Sequence, residues 1–564
     1  MSTARLTCLV AAAAVAAAGL VPAAAAPAVP PAPGFVDLDP ARALRSATHE
    51  LLTEPSEQAW RATMLAGVGA VQSSQESPTG SAEPPREFAA AYSAGDVDGD
   101  RREDVVVLRE DGTVVRSGRD GRALLRRKGG FLLPVQGAGA VRLVALESDF
   151  AEQSRGFEVT VRYTGLDGRG RAVWTHEATG SLTADGAGPA FVVTYQRLPL
   201  LLGEHQDAAG RPALLLGGAT GMSGDAAGAA EMSLEALSLQ DGSVAALPPL
   251  HGVGGLPWAS PLDPELVPGC YAATEPVGPT TTVSLRCADG APRWVRPVPL
   301  EDAFAGDAGR FDGDDQGDVL VSTFGFEPTQ AQDVLRGTRV LSGADGSQLG
   351  ASTHEALVPL RGDVNGDGEP DFLELVFDDE GFVIQGVTLS GTVLYRRSIA
   401  LRGAGFLEGF LGLDVTGDGI GDAFLRAEPD RGTPVAVVLD GRSGRPLSVP
   451  GVDALVAPGL RPRGADLLVL DAVGRRPTAT VRSGDRGRPL MAAPLPVRSG
   501  PVAAGGTAVT GQLDGDRRRD LVVVGRVGST RLTTAYSATG RVLWHIAEKA
   551  PGAGEGVIVV VEAG

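Results

Sequence analysis

The sequence predicts an all-β fold, a β-propeller of four-stranded antiparallel blades, and three observations lead there. An aspartate-rich turn runs straight into a strand at Asp96–Asp104, Asp363–Asp371 and Asp414–Asp422, with partial copies at Arg310–Asp318 and Gln512–Asp520. A tighter turn recurs at Ser117–Leu125, Leu341–Leu349, Leu439–Leu447 and Tyr536–Trp544, where Asp-Gly and Ser-Gly steps supply the positive φ that hairpins need. The two alternate about every 50 residues, and each period holds four short Val- and Leu-rich runs, as a propeller blade does.

One blade cannot bury both of its faces, so the repeats must stack as a single array. The strand-end aspartates fall at 104, 318, 371, 422 and 520, with eroded copies ending at Ala213 and Asp466. Eight blades are expected. Seven or nine also fit the spacing, because residues 140–177 and 255–300 are too diverged to count cleanly. Val557–Val561 reads as a strand that helps close the ring.

Ahead of the repeats the chain changes character. Arg5, the apolar run Leu6–Val21 and the alanines at 23–26 form the pattern of a signal peptide over residues 1–26. Residues 27–86 read as a linker: Pro27–Pro33 is proline-rich, Gln72–Pro85 is rich in Ser, Glu, Pro and Gly, and Pro40–Val71 has room for short helices. The propeller then occupies 87–564. The leading apolar run is short of the roughly 20 residues that cross a bilayer, so a secreted chain with no membrane span is expected. A net charge of −19 argues against nucleic acid as a partner and suits carboxylates that hold cations. Export leaves Cys270 and Cys287. They are equidistant from the turn at Gly278-Pro279, between runs that read as two antiparallel strands, and an oxidising compartment would join them as a disulfide.

The chemistry lies in the spacing inside the acidic turns. Asp96, Asp98, Asp100 and Asp104 take loop positions 1, 3, 5 and 9, with Gly99 at position 4. Asp363, Asn365, Asp367 and Asp371 repeat the pattern, as do Asp414, Thr416, Asp418 and Asp422. Calcium takes roughly six to eight oxygens, and alternate residues of a tight loop can turn theirs toward one ion. Backbone carbonyls of Arg102, Glu369 and Ile420, at position 7, would add a further ligand. Arg310 and Gln512 replace the first aspartate of the partial copies, which makes Asp312, Asp314, Asp318 and Asp514, Asp516, Asp520 weaker metal sites. His205–Ala213 keeps only Asp207 and is expected to bind nothing. An EF-hand opens the same way but carries an acidic residue at position 12, between helices. Here that position is Val107 or Leu425, and Glu374 in the second loop lies within a strand run.

This D-x-D-G-D-x-x-x-D turn feeding a strand resembles the FG-GAP/VCBS-type repeats of integrin α-subunit propellers and of many secreted bacterial proteins, over roughly residues 88–564. The resemblance implies a calcium-binding loop between the first two strands of a blade. It is looser than to an integrin, since no Phe-Gly…Gly-Ala-Pro box is evident. A monomeric adhesion or interaction module is therefore expected, with a protein or carbohydrate ligand. No enzyme is expected: the histidines are scattered, and neither G-x-S-x-G nor H-E-x-x-H occurs. Two alternatives remain. The hairpins ending in Trp174, Trp294 and Trp544 resemble quinoprotein blades, which implies an extracellular quinone-dependent oxidoreductase, although the vicinal cysteines common in that family are missing. A purely structural surface-layer component also fits the linker-then-propeller layout. Arg361-Gly362-Asp363 spells an adhesion tripeptide, but Asp363 opens a metal loop and a buried ligand cannot be presented to a receptor.

Overall fold

Val105, Val106 and Val107 are all buried, although successive residues of a strand face opposite sides. Such a strand must lie between two layers, and the computed structural model supplies them. The structure describes residues 35–37 and, with breaks of one to thirteen residues, 91–561. Among the described residues there is no helix, and the strands follow one another in antiparallel groups. The fold is a β-propeller.

Nine consecutive units can be followed among the described residues, at 91–127, 131–185, 192–253, 258–298, 303–352, 358–400, 404–439, 453–494 and 503–561. Eight were expected from sequence, with seven or nine also fitting the spacing. The second and fourth units are the ones that could not be counted cleanly, because they lack the acidic turn. Their first loops close by backbone bonds instead: Val141 N donates to Ala138 O, and Cys270 N donates to Val267 O. The second, third and fourth units also run together as one sheet. The end of Ala172–Asp185 pairs with the start of Val192–Gln206, and Val253 bridges Val277.

Units dock through a repeated contact. An aromatic side chain on the outer strand of one unit donates to a turn carbonyl of the next. Trp174 Nε1 reaches Leu239 O at 3.0 Å, Trp294 Nε1 reaches Gly343 O at 3.1 Å, and Tyr395 Oη reaches Gly441 O at 2.6 Å. Three residues past each acceptor stands a glycine with positive φ: Gly242, Gly346 and Gly444. A Cβ there would come within 2.7 Å of the aromatic side chain, so a larger residue would push the units apart.

The same contact joins the last unit to the first. Trp544 Nε1 donates to Gly118 O at 2.7 Å, and Gly121 lies against its ring. Arg102 donates to Leu513 O, and Glu103 N donates to Gln512 O. Leu513, Val522, Ala535 and Trp544 share one apolar cluster with Val105–Val107. The ring is closed. Val557–Val561 is a strand, as expected, and pairs with Val522–Gly525 inside the last unit.

Cys270 and Cys287 form a disulfide across the hairpin in which Tyr271 pairs with Arg286; their Cα atoms are 3.9 Å apart. Phe35–Asp37 adds in parallel to Ser398–Ala400, on the outer edge of the sixth unit. The expected signal peptide and the rest of the 27–86 linker, including its possible helices, lie outside the described residues. Among the described residues no helix is long and apolar enough to cross a membrane.

Candidate metal centres

Each acidic loop is anchored by its last aspartate, a buried residue at the start of the following strand or just before it. Asp104 accepts from Val97 N (2.8 Å) and Asp98 N (3.2 Å) through one oxygen and from Gly118 N (3.0 Å) through the other. Asp318 does the same with Phe311, Asp312 and Gly343, and Asp520 with Leu513, Asp514 and Ala538. Asp422 accepts from Thr416 and Gly441, and Asp371 from Val364. The carboxylate thus ties the loop to the hairpin at the same end of its unit. Burial pushes Asp104 up to about 7 and Asp520 up to about 6, and raises Asp318 and Asp371 as well.

Against this anchor the other carboxylates converge. One oxygen from each of Asp96, Asp98 and Asp104 lies within 4.8 Å of the others. The triads Asp312, Asp314, Asp318 and Asp514, Asp516, Asp520 meet the same condition. Asp100 stands beside the first triad and accepts from Arg102 N at 3.0 Å. The loop 363–371 is not among the converging groups. Both oxygens of Asp363 turn to backbone, accepting from Gly366 N (2.5 Å) and Gly368 N (2.8 Å), bonds that hold its pKa down. Asn365 turns its amide nitrogen to Asp367. In the loop 414–422, Asp414 lies outside the described residues, while Thr416, Asp418 and Asp422 are in place. The residues brought together thus include both loops ranked weaker from sequence.

Three clustered carboxylates repel one another and favour a hard cation among them. Arginine supplies some of the compensation. Arg122, from the hairpin of the first unit, lies 3.0 Å from Asp98, and Arg442 lies 2.8 Å from Asp418 in the seventh. Arg541 lies 3.9 Å from Asp514. Burial opposes ionisation of Asp418, but Arg442 prevails and its pKa is lowered. Sequence reasoning missed these arginines. Their one signal was a Gly-Arg step in the tight turn that follows each loop. The eroded copy behaves as a plain turn: Asp207 accepts from Ala209 N and Arg211 N and pairs with Arg211 Nε at 2.7 Å.

No family model and no curated protein matches the chain. Among solved structures it is similar to rhamnogalacturonan lyase YesW, at 11% identity over 83% of this chain and 79% of that one, with a TM-score of 0.29. The β-propeller domain of the Trilobed protease from Pyrococcus furiosus is 9% identical over 60% of this chain and 91% of that one, with a TM-score of 0.26. A quinohemoprotein alcohol dehydrogenase from Pseudomonas putida is 11% identical over 84% of this chain and 69% of that one, with a TM-score of 0.20. At these TM-scores the likenesses carry no argument, and the propeller reading rests on the sheets and the closure described above. One expectation is corrected nonetheless. The chain was expected to be no enzyme because its histidines are scattered and two hydrolase motifs are absent; a fold of this kind does not decide between binding and catalysis, so that expectation is withdrawn.

Proposed function

We propose that the chain is a secreted FG-GAP/VCBS-like propeller whose acidic loops hold calcium and whose ring presents a binding surface to a protein or carbohydrate. One observation supports this most: three carboxylates converge within 4.8 Å in the first, fifth and last units, each time in the loop that leads into the strand begun by the last aspartate. A turn-forming role alone would need no convergence, because each of these aspartates satisfies nearby backbone singly. The disulfide favours an oxidising, extracytoplasmic setting. Calorimetry on chelator-treated protein should detect calcium binding at millimolar concentration or below, the range of extracellular modules. A glycan array and a pull-down, each with calcium and with chelator, should then find a ligand whose retention depends on calcium. Absence of calorimetric binding would remove the metal reading. A ligand retained equally in chelator would leave the metal a purely stabilising role.

A further inference from the structure

The junction that closes the ring differs from the other three aromatic junctions at two positions. Two residues before the acceptor carbonyl, the third, fifth and seventh units carry Leu237, Leu341 and Leu439, all buried. The first unit carries Arg116. Four residues past the aromatic donor, the second and fourth units carry Ala178 and Val298, while the last carries Glu548. Leu237 and Ala178 belong to one apolar cluster, and Leu341 and Val298 to another. Arg116 and Glu548 form an ion pair instead. Arg116 is 2% exposed; one terminal nitrogen lies 2.7 Å from Glu548 Oε2, and the other donates to Gly121 O at 2.9 Å. Arg126 holds the second oxygen of Glu548 at 3.1 Å.

Stability does not explain this exchange, since an ion pair whose arginine is buried and whose glutamate is 17% exposed is often no better than the apolar residues that could replace it. Specificity does. Units that share one docking contact can dock in the wrong order, and a charge is costly wherever its partner is missing. Between the second and third, fourth and fifth, or sixth and seventh units, a short connection delivers the correct neighbour. The closing contact joins residues 426 positions apart, so the chain does not choose the partner there. Glu548 brought against Leu237, Leu341 or Leu439 would bury an unpaired carboxylate, and Arg116 brought against Ala178 or Val298 would bury an unpaired guanidinium. We propose that Arg116 and Glu548 are a registry key that directs the last unit onto the first and onto no other.

The test is refolding of the full chain from denaturant in calcium, read as the yield of compact monomer by size-exclusion chromatography and its melting temperature. Arg116→Leu and Glu548→Val singly should each lower both. Arg116→Leu with Glu548→Val, the apolar combination of the other junctions, should melt at or above the wild-type temperature once folded. It should nonetheless give several-fold less monomer and more misassembled protein. Arg116→Glu with Glu548→Arg, made with Arg126→Ala so that no second arginine faces the new one, should recover monomer yield relative to either charge change alone in that background. Wild-type yield from the apolar pair would overturn the proposal. So would a charge swap no better than its single changes, which also decides the matter if the apolar pair fails to fold.

Discussion

His205 shows what a single residue contributes at a unit interface. It lies on the first strand of the third unit, with its ring edge-on at 5.7 Å to Tyr271 of the fourth. Neither ring nitrogen, nor the Tyr271 hydroxyl, meets a hydrogen-bond partner among the described residues. Burial pushes its pKa down to about 4, against a weaker upward pull from Asp207. An unfolded histidine titrates near about 6.5. Between these values the unfolded chain binds a proton that the folded chain refuses. The contribution to stability is therefore complete above about 6.5, declines as pH falls toward 4, and is level below that. The gap of about 2.5 units corresponds to about 3 kcal/mol. Asp104 and Asp520, with raised pKa values, titrate with the opposite sign over part of this window, so the test is a difference: the melting temperature of His205→Phe relative to wild type should rise as pH falls from about 6.5 toward 4. Parallel wild-type and variant curves would show that His205 is not the titrating group.

At the scale of the loop, Asp104 both anchors the backbone and joins the converging triad. Removing Asp104 strips acceptors from Val97, Asp98 and Gly118 in a buried place; leaving a buried donor unpaired costs about 1–3 kcal/mol. Asp104→Ala should therefore lower the melting temperature in chelator and in calcium alike. Asp98 meets the same cluster from a more exposed position. Asp98→Ala with Asp312→Ala and Asp514→Ala should leave the chelator-treated melt nearly unchanged and abolish most of the rise on adding calcium. Each occupied site would supply about 2.7 kcal/mol at 100 times its dissociation constant. A full calcium response in the triple variant would move the metal elsewhere. The spacing that marks these loops was legible in sequence, since positions 1, 3, 5 and 9 are a local pattern. Convergence was not. It depends on the folded path of each loop rather than on its spacing: the first carboxylate is claimed by backbone N–H groups both in the converging loop of Asp96 and in the loop of Asp363, which does not converge, and arginines such as Arg122 come within reach only in the folded hairpin.

Over the whole molecule, the repeat was legible because each unit needs the same turn chemistry, and the disulfide because its hairpin is local. The unit count was less so: the second and fourth units had replaced their acidic turns with backbone-closed ones, which leave no composition signal. The identity of the closing contact was also hidden, because Trp544 looks in sequence like Trp174 and Trp294. Its partner sets it apart. Trp294 and Gly343 are 49 residues apart and Trp174 and Leu239 are 65 apart, whereas Trp544 and Gly118 are 426 apart. Truncating any of these rings should cost about 3–5 kcal/mol, but the consequences should differ in reach. A short connection keeps the fourth and fifth units close after Trp294→Ala, so their effective concentration stays high and opening stays local. After Trp544→Ala nothing covalent nearby holds the first and last units together. Amide exchange should then rise on both sides of the seam, at Val105–Val107 and at Val522–Val524, while Trp294→Ala should speed exchange around Val283–Leu285 and Val319–Val321 only. If Trp544→Ala perturbs no wider a region than Trp294→Ala, the first and last units are held together by something other than this contact.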